Sequence, residues 1–449
     1  MLPAIFFNSP KSRFQPPIFP AKARIGFVGD SLTRMGFYHR DLSLFYATRY
    51  PSRKLFTRSF GMSGDTAAGC VLRHGWDIAP FKADVLTIST GVNDAGIWLY
   101  ETDSPDEATL AAREKAFKEH VANTRKFIRM AKENGSQVIV VSPALYDQTA
   151  EMDVPKRTGV NDTLRRMMDS DRRTAEAFEC PFIDINTPMM KINEFMQQKN
   201  PRFTLVGPDR VHPKEVGHLV MAVAILKAQG VTPIVAEISL DARAREHLAM
   251  RNCSISDLRL ETDCVSFNYL AGSIPFPLTK EQSPISEFFD FQNDMNGEII
   301  SVVNLPQGRY HLSIDRKPVA TLSSRQLAEG VNLSIMRTPQ LRQANLVRRL
   351  VEKRHLLGQK LLIRSLLKQQ FFPDKHTLSW KEERTILKAA FKTLGTESLW
   401  DRFRAKNIRE YLPIGARRSL LEEEYNSMTD EIYKINRPII HLIEIQRII

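Results

Sequence analysis

The chain has 449 residues, a formal net charge of +12, 43% hydrophobic and 25% charged residues, and four cysteines, none of them in a CxxC pair. These proportions are typical of a globular protein and exclude global disorder, a collagen-like repeat, a disulfide-stapled miniprotein and a CxxC zinc ribbon. At roughly 150 residues per domain, the length predicts two or three units, each long enough to bury a core.

The N-terminal segment, residues 1–22, is predicted to be an ordered or frayed arm, because it contains several prolines and no apolar periodicity. Its apolar stretch at 4–7 is shorter than a secretion signal requires, and no basic residue precedes it. No stretch of the sequence approaches the roughly 18 apolar residues that span a bilayer. We therefore expect a cytoplasmic protein, while a wrongly assigned start codon leaves a periplasmic or secreted location open.

Residues 23–232 have the pattern of a parallel β-sheet covered by helices. Short apolar runs predict five strands, at 24–29, 54–60, 83–89, 137–141 and 181–185. Apolar periodicity and end signals predict the intervening helices, at 35–50, 106–134, 155–179 and 213–229. Continuous apolar runs, rather than strict alternation, are typical of strands buried on both faces, so the pattern indicates an α/β domain.

Beyond residue 232 the pattern changes, and we expect two accessory segments packed on the α/β unit. A small antiparallel β region at 233–336 is predicted from stretches at 264–270, 298–305, 310–314 and 319–322, with hairpin turns at 306–308 and 315–318. A helical extension at 337–449 is predicted from helices at 342–370 and 381–408. Its apolar stripe is expected to contain Leu346, Leu350, Leu357 and Leu361.

The positive charge is concentrated in the helical extension, where residues 337–449 hold 23 Lys and Arg against 13 Asp and Glu. Such a segment is either a solvated helical surface or a contact for an anionic surface. Acidic residues are interleaved and aromatic residues are not arrayed for base stacking, which argues against nucleic acid as a partner. The sequence indicates no oligomeric state.

A serine follows the first predicted strand, in the GDSL block at 29–32. The carboxyl end of a strand in a parallel sheet is where α/β proteins bind ligands, and a serine nucleophile there needs a nearby base. The DRVHP block at 209–213 places Asp209 three residues before His212, so the carboxylate can orient the imidazole. This spacing also fits a capping aspartate beside a surface histidine, and the two interpretations stand side by side. Ser31, His212 and Asp209 are the candidate triad.

Two further blocks follow the second and third predicted strands, SGDT at 63–66 and GVND at 91–94. A tetrahedral intermediate needs hydrogen-bond donors aimed at its oxyanion, and a glycine lets backbone N–H groups approach closely. Gly64 and Asn93 are therefore candidate donors. Turn geometry alone also explains a glycine or an asparagine at such positions.

These four blocks, in this order, resemble the SGNH hydrolases, the GDSL lipase/acylhydrolase superfamily, over about residues 23–230. The resemblance implies a flavodoxin-like α/β/α sandwich around a five-stranded parallel sheet of order 2-1-3-4-5, and no metal or organic cofactor. It assigns Ser31 as nucleophile, His212 as base with Asp209 as its partner, and Gly64, Asn93 and the Ser31 amide as oxyanion donors. Many members have an asparagine before the glycines of the second block, where this chain has none, so Gly61 stays an alternative to Gly64.

The resemblance implies a carboxylic ester hydrolase, and the residues favour removal of short acyl groups such as acetate from a carbohydrate. No long apolar loop indicates an acyl tunnel, and aromatic and acidic residues flank the motif loops. Lipase, lysophospholipase or thioesterase activity on longer acyl chains is the alternative. A non-catalytic binding protein with a hydrolase-like core is the competing class. The fold alone does not choose among these substrates, because one fold hosts many of them. The expected partner is a small-molecule or glycan ester.

Several residues near the blocks have two interpretations, one functional and one purely structural. Trp98 and Tyr100 can stack on a sugar ring or pack in the core, and Arg34 can bind an anion or lie on the surface. Asp147 can line a pocket or belong to a solvated acidic loop. His218, on the last predicted helix of the α/β unit, is expected to be packed in the core.

Overall fold

The computed structural model describes residues 4–7, 13–261, 263–374 and 377–448. The predicted N-terminal arm therefore lies partly outside the described residues, at 1–3 and 8–12. The strands are β1 (Arg24–Gly29), β2 (Phe56–Gly61), β3 (Val85–Ser89), β4 (Gln137–Val141), β5 (Phe182–Ile183), β6 (Ile234–Asp241), β7 (Glu246–Arg251), β8 (Cys253–Leu260), β9 (Cys264–Ala271), β10 (Gly297–Val303), β11 (Arg309–Ile314), β12 (Lys317–Ser323), β13 (Val331–Asn332) and β14 (His441–Arg447).

The helices are α1 (Ser31–Met35), α2 (Phe37–Arg49), α3 (Ala67–Arg73), α4 (Glu107–Glu133), α5 (Val160–Ala177), α6 (Asn186–Gln197), α7 (Glu215–Ala228), α8 (Phe291–Met295), α9 (Ser324–Glu329), α10 (Pro339–Phe371), α11 (Trp380–Thr393), α12 (Leu399–Tyr411) and α13 (Arg418–Ile435). Helix α6 was not predicted from the sequence. None of these described helices is long and apolar enough to cross a membrane.

The first five strands form one parallel sheet of order β2-β1-β3-β4-β5, which confirms the predicted α/β fold and strand order. Neighbouring residues of β1 face opposite cores: Phe27 packs in the larger hydrophobic cluster and Val28 in a second cluster on the other face. Both faces are thus buried, which is why the strand sequences are continuous apolar runs. All carboxyl ends meet at one edge of the sheet.

The predicted helix at 35–50 is two helices, because Gly36 adopts a left-handed conformation with φ +69° and ends α1. The side chain of Asp30 caps α1 by accepting the N–H of Leu32 at 3.0 Å. The short helix α1 therefore begins directly at the end of β1, with Ser31 as its first residue. Strand and cap together fix the position of this serine.

The accessory β region is larger than predicted and consists of two sheets. One has the order β13-β10-β6-β7, with β10 parallel to β6, and the other has the antiparallel order β12-β11-β14-β9-β8. Residues of both sheets share one hydrophobic core, so together they form a sandwich. The predicted hairpin at 306–308 was wrong, because β10 and β11 belong to different sheets. The hairpin at 315–318 is present between β11 and β12, with Asp315 and Arg316 at positive φ.

The predicted helical extension was wrong at its end, because β14 is a strand inserted between β9 and β11. Its residues alternate, with His441, Ile443 and Ile445 buried in the sandwich. The second predicted helix, at 381–408, is broken into α11 and α12. The predicted stripe on α10 was wrong at Leu346, which is 52% exposed, because the buried face runs through Ala344, Val347 and Val351 instead.

Most basic residues that pair on the C-terminal helices do so with acids of the same segment. The pairs are Arg348–Glu352, Lys353–Glu424, Arg364–Glu383, Arg404–Asp401, Lys406–Glu410 and Arg418–Glu422. These pairs engage six of the 23 basic residues and leave the net charge of the segment at +10, that is, 23 minus 13.

Helix α2 joins the α/β unit to the accessory segments. Eleven of its thirteen residues are buried, because one side faces the parallel sheet and α7 while the other is covered by later parts of the chain. Its carboxylate Asp41 accepts a hydrogen bond from Gln282 at 2.8 Å. Phe276 packs on Phe45, and α10 runs alongside. The accessory segments are therefore a layer packed on the α/β unit.

We propose residues 23–232 as the catalytic domain, and expect that it does not fold well alone. A chain that ends at Val235 exposes the apolar side of α2. It also removes Gln282, which donates to Asp41, and the carbonyl oxygen of Met295, which accepts from the guanidinium of Arg49. We expect it to aggregate or to lose cooperative thermal unfolding, since each Å² of newly exposed apolar surface costs about 25 cal/mol. Soluble yield and calorimetry test this. A soluble 1–235 fragment that unfolds cooperatively and keeps the activity of the full chain would contradict it.

Candidate active site

The four predicted blocks meet at the carboxyl edge of the parallel sheet. Ser31 begins α1 directly after β1, the Gly64 loop follows β2, and Asn93 follows β3. His212 lies in the loop that precedes α7. Because the strands are parallel, these loops converge at one edge, which is the usual position of ligand sites in open α/β sheets.

Ser31, His212 and Asp209 form a continuous hydrogen-bonded chain. The Nε2 atom of His212 lies 2.7 Å from the Oγ atom of Ser31, and Nδ1 lies 2.6 Å from Oδ2 of Asp209. The other carboxylate oxygen of Asp209 accepts the backbone N–H groups of Val211 and His212. The capping interpretation of Asp209 was wrong, because α7 begins at Glu215 with Lys214 as its N-cap. Oδ1 of Asp209 holds the loop, while Oδ2 orients the imidazole through one hydrogen bond.

A buried arginine that was not predicted, Arg210, shapes the loop between Asp209 and His212. It adopts φ +66°, and its guanidinium donates to the carbonyl oxygens of Asp147, Ala150 and Val154. Asp147 is itself buried and accepts hydrogen bonds from the N–H of Ala150 and from Asn193. Asp147 therefore anchors this loop and does not line a pocket. Arg210 was not predicted because no local pattern in the sequence indicates that an arginine binds three carbonyl groups distant along the chain.

The charges of the triad are set by its own hydrogen bonds. The bond to Asp209 raises the pKa of His212 above its usual value, and this outweighs the opposing effect of partial burial. Burial raises the pKa of Asp209, but the hydrogen bonds from His212 and Val211 outweigh it and bring that pKa down to about 2. Asp209 is thus a carboxylate throughout the physiological range, and His212 can accept a proton once the pH exceeds its raised pKa.

Burial raises the pKa of the neighbouring Asp30 to about 7. Asp30 lies immediately before Ser31 and holds the first turn of α1, so its carboxyl group contributes to the position of the nucleophile. The charge of His212 opposes this increase in pKa. The charge of Asp30 in turn favours the imidazolium form of His212, so each group shifts the pKa of the other.

The glycine alternatives differ in their surroundings. Gly61 is buried, its N–H donates to Oγ of Ser59, and a Cβ atom there would lie 2.1 Å from the backbone nitrogen of Arg34. Close packing of β2 against α1 therefore explains Gly61. Gly64 lies in the exposed loop with φ +77°, a conformation that favours glycine. Of the two glycines, Gly64 is the exposed one.

Buried ion pairs that the sequence did not reveal support the loops of Gly64 and Asn93. The amide of Asn93 donates to the carbonyl oxygen of Asp65 at 2.9 Å, and the carboxylate of Asp65 pairs with buried Arg73 at 2.7 Å. The next residue, Asp94, accepts the N–H of Ala67 at 2.9 Å. The two loops are thus tied to each other by hydrogen bonds in both directions.

Asp94 is paired in turn with a buried histidine on α4. His120 lies 3.2 Å from Asp94 and 3.0 Å from Asp171. Burial lowers the pKa of His120, but the two carboxylates outweigh burial and bring it to about 10. His120 is therefore an imidazolium at neutral pH and balances the acids beneath the loops.

Among the remaining candidate residues, Tyr100, His218 and Arg34 make structural contacts, whereas Trp98 is exposed. Tyr100 is buried and bonds to Thr163, and His218 is buried beside Phe37 and Tyr38, as expected for packed residues. Arg34 donates to the carbonyl oxygen of Gln359 on α10 at 3.0 Å, so its bonds serve the contact between α1 and the helical extension. Trp98, in contrast, is 61% exposed. Among the described residues, no three or more His, Cys, Asp or Glu side chains cluster as metal ligands do.

Comparisons with known proteins give matches to the α/β unit and to almost the whole chain. The model of the GDSL-like lipase/acylhydrolase family matches residues 27–220. A gut microbial diltiazem-metabolizing enzyme of known structure is 30% identical, and the match covers 97% of this chain and 100% of that one with a TM-score of 0.88. The similarity to that enzyme thus includes the accessory sheets and the C-terminal helices.

Two other matches concern an acetylxylan esterase from Geobacillus stearothermophilus. A curated sequence of that name is 26% identical over 181 residues, which is 40% of this chain and 75% of the relative. A crystal structure of an acetylxylan esterase from this organism is 22% identical and covers 47% of this chain and 96% of its own, with a TM-score of 0.37.

Removal of the Asp209 carboxylate is expected to lower the pKa of His212. In Asp209→Asn a neutral amide replaces the charge that stabilises the imidazolium, while partial burial still disfavours it. The neutral fraction of His212 at pH 6.5 therefore rises. NMR titration of ¹³C-labelled histidine measures this, with His212→Gln to assign the resonance and exposed Asp153→Asn as control. An unchanged His212 pKa in Asp209→Asn would show that this hydrogen bond does not set it.

Proposed function

Because the chain belongs to the SGNH hydrolase superfamily and is a carboxylic ester hydrolase, we propose that it removes short acyl groups, chiefly acetate, from a carbohydrate or a similar small alcohol. The reaction passes through an acyl-enzyme on Ser31. The observation that carries this proposal is the hydrogen-bonded chain from Ser31 through His212 to Asp209, with contacts of 2.7 and 2.6 Å.

In the first half of the reaction, Ser31 Oγ attacks the ester carbonyl carbon while His212 Nε2 accepts the hydroxyl proton. The carboxylate of Asp209 stabilises the imidazolium that forms. The oxyanion accepts hydrogen bonds from the N–H of Gly64, the amide of Asn93 and the N–H of Ser31. The Ser31 amide lies in the first turn of α1, where N–H groups have no intrahelical acceptor.

The tetrahedral intermediate then loses its alcohol. The imidazolium of His212 gives its proton to the leaving oxygen, the bond from carbon to that oxygen breaks, and the acyl group stays on Ser31. In the second half, His212 takes a proton from water, which attacks the acyl carbonyl. Ser31 leaves with the proton from His212, and the carboxylic acid is released.

Two observations support a short acyl group. A relative of the catalytic segment is an acetylxylan esterase, and the sequence has no long apolar loop near the motifs that would enclose an acyl chain. Longer acyl chains, as in a lipase, lysophospholipase or thioesterase, are the alternative. A non-catalytic role is disfavoured by the complete triad at hydrogen-bonding distances.

Loss of the triad is expected to abolish hydrolysis of p-nitrophenyl acetate. Ser31→Ala and His212→Ala should each reduce kcat by several orders of magnitude, because the two groups act as a unit. Asn93→Ala should cost about 10²–10³ in kcat, the usual scale for one oxyanion donor. Ser286→Ala and His247→Ala, at exposed positions of the accessory segments, are matched controls. Equal rates for wild type, Ser31→Ala and His212→Ala would overturn the proposal.

The acyl preference is tested separately with p-nitrophenyl esters of increasing chain length. We expect kcat/KM to be highest for acetate and to fall for butyrate and octanoate. The leaving group is the same throughout the series, so only the acyl group varies. Octanoate cleaved much faster than acetate would contradict the short-acyl proposal and favour a lipase or thioesterase, while leaving the triad assignment intact.

A further inference from the structure

The C-terminal helical segment brings a tryptophan to the mouth of the active site. A Cβ atom placed on Gly64 would lie 3.3 Å from Cη2 and 4.0 Å from Cζ3 of Trp400. The far edge of the indole on α12 therefore contacts the exposed side of the glycine proposed as an oxyanion donor. The residue is distant in sequence and belongs to a segment that supplies no catalytic group.

Helix α12 holds this side chain in place. The side chain of Ser398 caps the helix by accepting the N–H of Asp401 at 3.3 Å, and Phe403 packs edge-on to Trp400 at 6.0 Å between ring centroids. At the other end, Ile408 and Tyr411 are buried in a small core with α10 and α11. The indole is nevertheless 56% exposed, so its anchored helix presents it to solvent beside Gly64.

A second exposed tryptophan follows the other proposed donor. Trp98 lies five residues after Asn93, in the short helical turn Ile97–Tyr100, and is 61% exposed. The turn is fixed by buried Tyr100 and by Arg113, which donates to the carbonyl oxygen of Leu99. Two of the three proposed donors thus have an exposed indole nearby: Trp400 lies beside Gly64 in space, and Trp98 follows Asn93 in sequence.

Single exposed apolar residues are common on protein surfaces and need no explanation. These two differ because both are large aromatic rings, both are carried by anchored segments, and both accompany oxyanion donors. Aromatic rings bind flat apolar faces, either of another aromatic ring or of a sugar. In an acetate ester the acyl group has no ring, so the alcohol portion is the part that can offer a flat face to these side chains.

We propose that Trp400, with Trp98, forms an aromatic subsite for the ring of the alcohol, so that the enzyme selects acyl esters of ring-bearing alcohols over esters of small linear ones. This inference rests on the proposed function, since it assumes a short acyl group. Trp400 is the specificity-determining residue, and the C-terminal helices are the part of the chain that supplies it. The contact of Arg34 with Gln359 fixes that segment against α1.

The test compares one linear and two ring-bearing acetates: ethyl acetate, phenyl acetate and xylose tetraacetate, with acid release followed by pH-stat. For Trp400→Ala we expect KM for the ring-bearing esters to rise and the ratio of kcat/KM between ring-bearing and linear ester to fall about tenfold. Trp98→Ala should lower the ratio in the same direction, and Trp400→Phe should restore most of it. Leu399→Ala, 76% exposed on the same turn of α12, is the matched control and should keep the wild-type ratio.

The outcomes separate this inference from the proposed function. Wild-type protein that hydrolyses none of the three acetates contradicts the proposed function. Wild-type protein that hydrolyses them, together with a folded Trp400→Ala variant whose ratio stays within twofold of wild type, overturns the aromatic subsite alone. Thermal unfolding of each variant establishes that it is folded. If Trp400→Ala does not fold, Trp400→Phe provides the test. If Trp400→Ala lowers the ratio for phenyl acetate but not for xylose tetraacetate, the preferred alcohol is aromatic. If it lowers the ratio only for xylose tetraacetate, the preferred alcohol is a sugar.

Discussion

The hydrogen bond between His212 and Ser31 is the contact on which the rest of the site depends. It joins the first turn after β1 to the loop before α7, and at 2.7 Å it tolerates little displacement of either one. Each side has its own support. Asp30 caps the helix that carries Ser31, while Arg210 ties the loop of His212 to three carbonyl groups. Two independent sets of contacts therefore hold the two partners of one short hydrogen bond.

Burying charge beneath the oxyanion loops is costly, since each ion loses several kcal/mol of hydration unless it is paired. Here the buried charges are paired with charges of opposite sign. Asp65 is paired with Arg73, and His120 stands as an imidazolium between Asp94 and Asp171. These pairs hold the two loops that carry Gly64 and Asn93. The contacts that stabilise the fold here therefore also fix the positions of the proposed oxyanion donors.

The sequence analysis was most accurate for the elements whose limits are set by local signals. Helix α4 was predicted to within one residue at each end, because Asp106 is its N-cap and Asn134 its C-cap. The five strands follow from apolar runs in the same way, and the hydrogen-bonded chain of Ser31, His212 and Asp209 lies within two of the short motifs. Strand β14 was missed because its pairing partners, β9 and β11, lie more than 120 residues earlier in the chain. The contact of Trp400 with Gly64 and the carbonyl partners of Arg210 also depend on distant segments and leave no local pattern.

The most direct test of the central claim is covalent labelling of the native protein with a fluorophosphonate, followed by tandem mass spectrometry of its peptides. The hydroxyl of an activated serine displaces fluoride and keeps the phosphonyl group, whereas an unactivated serine reacts slowly. The account predicts stoichiometric labelling at Ser31 in wild type and none at this position in His212→Ala. Labelling at another residue, no labelling of folded wild type, or equal labelling of Ser31 in His212→Ala would contradict it.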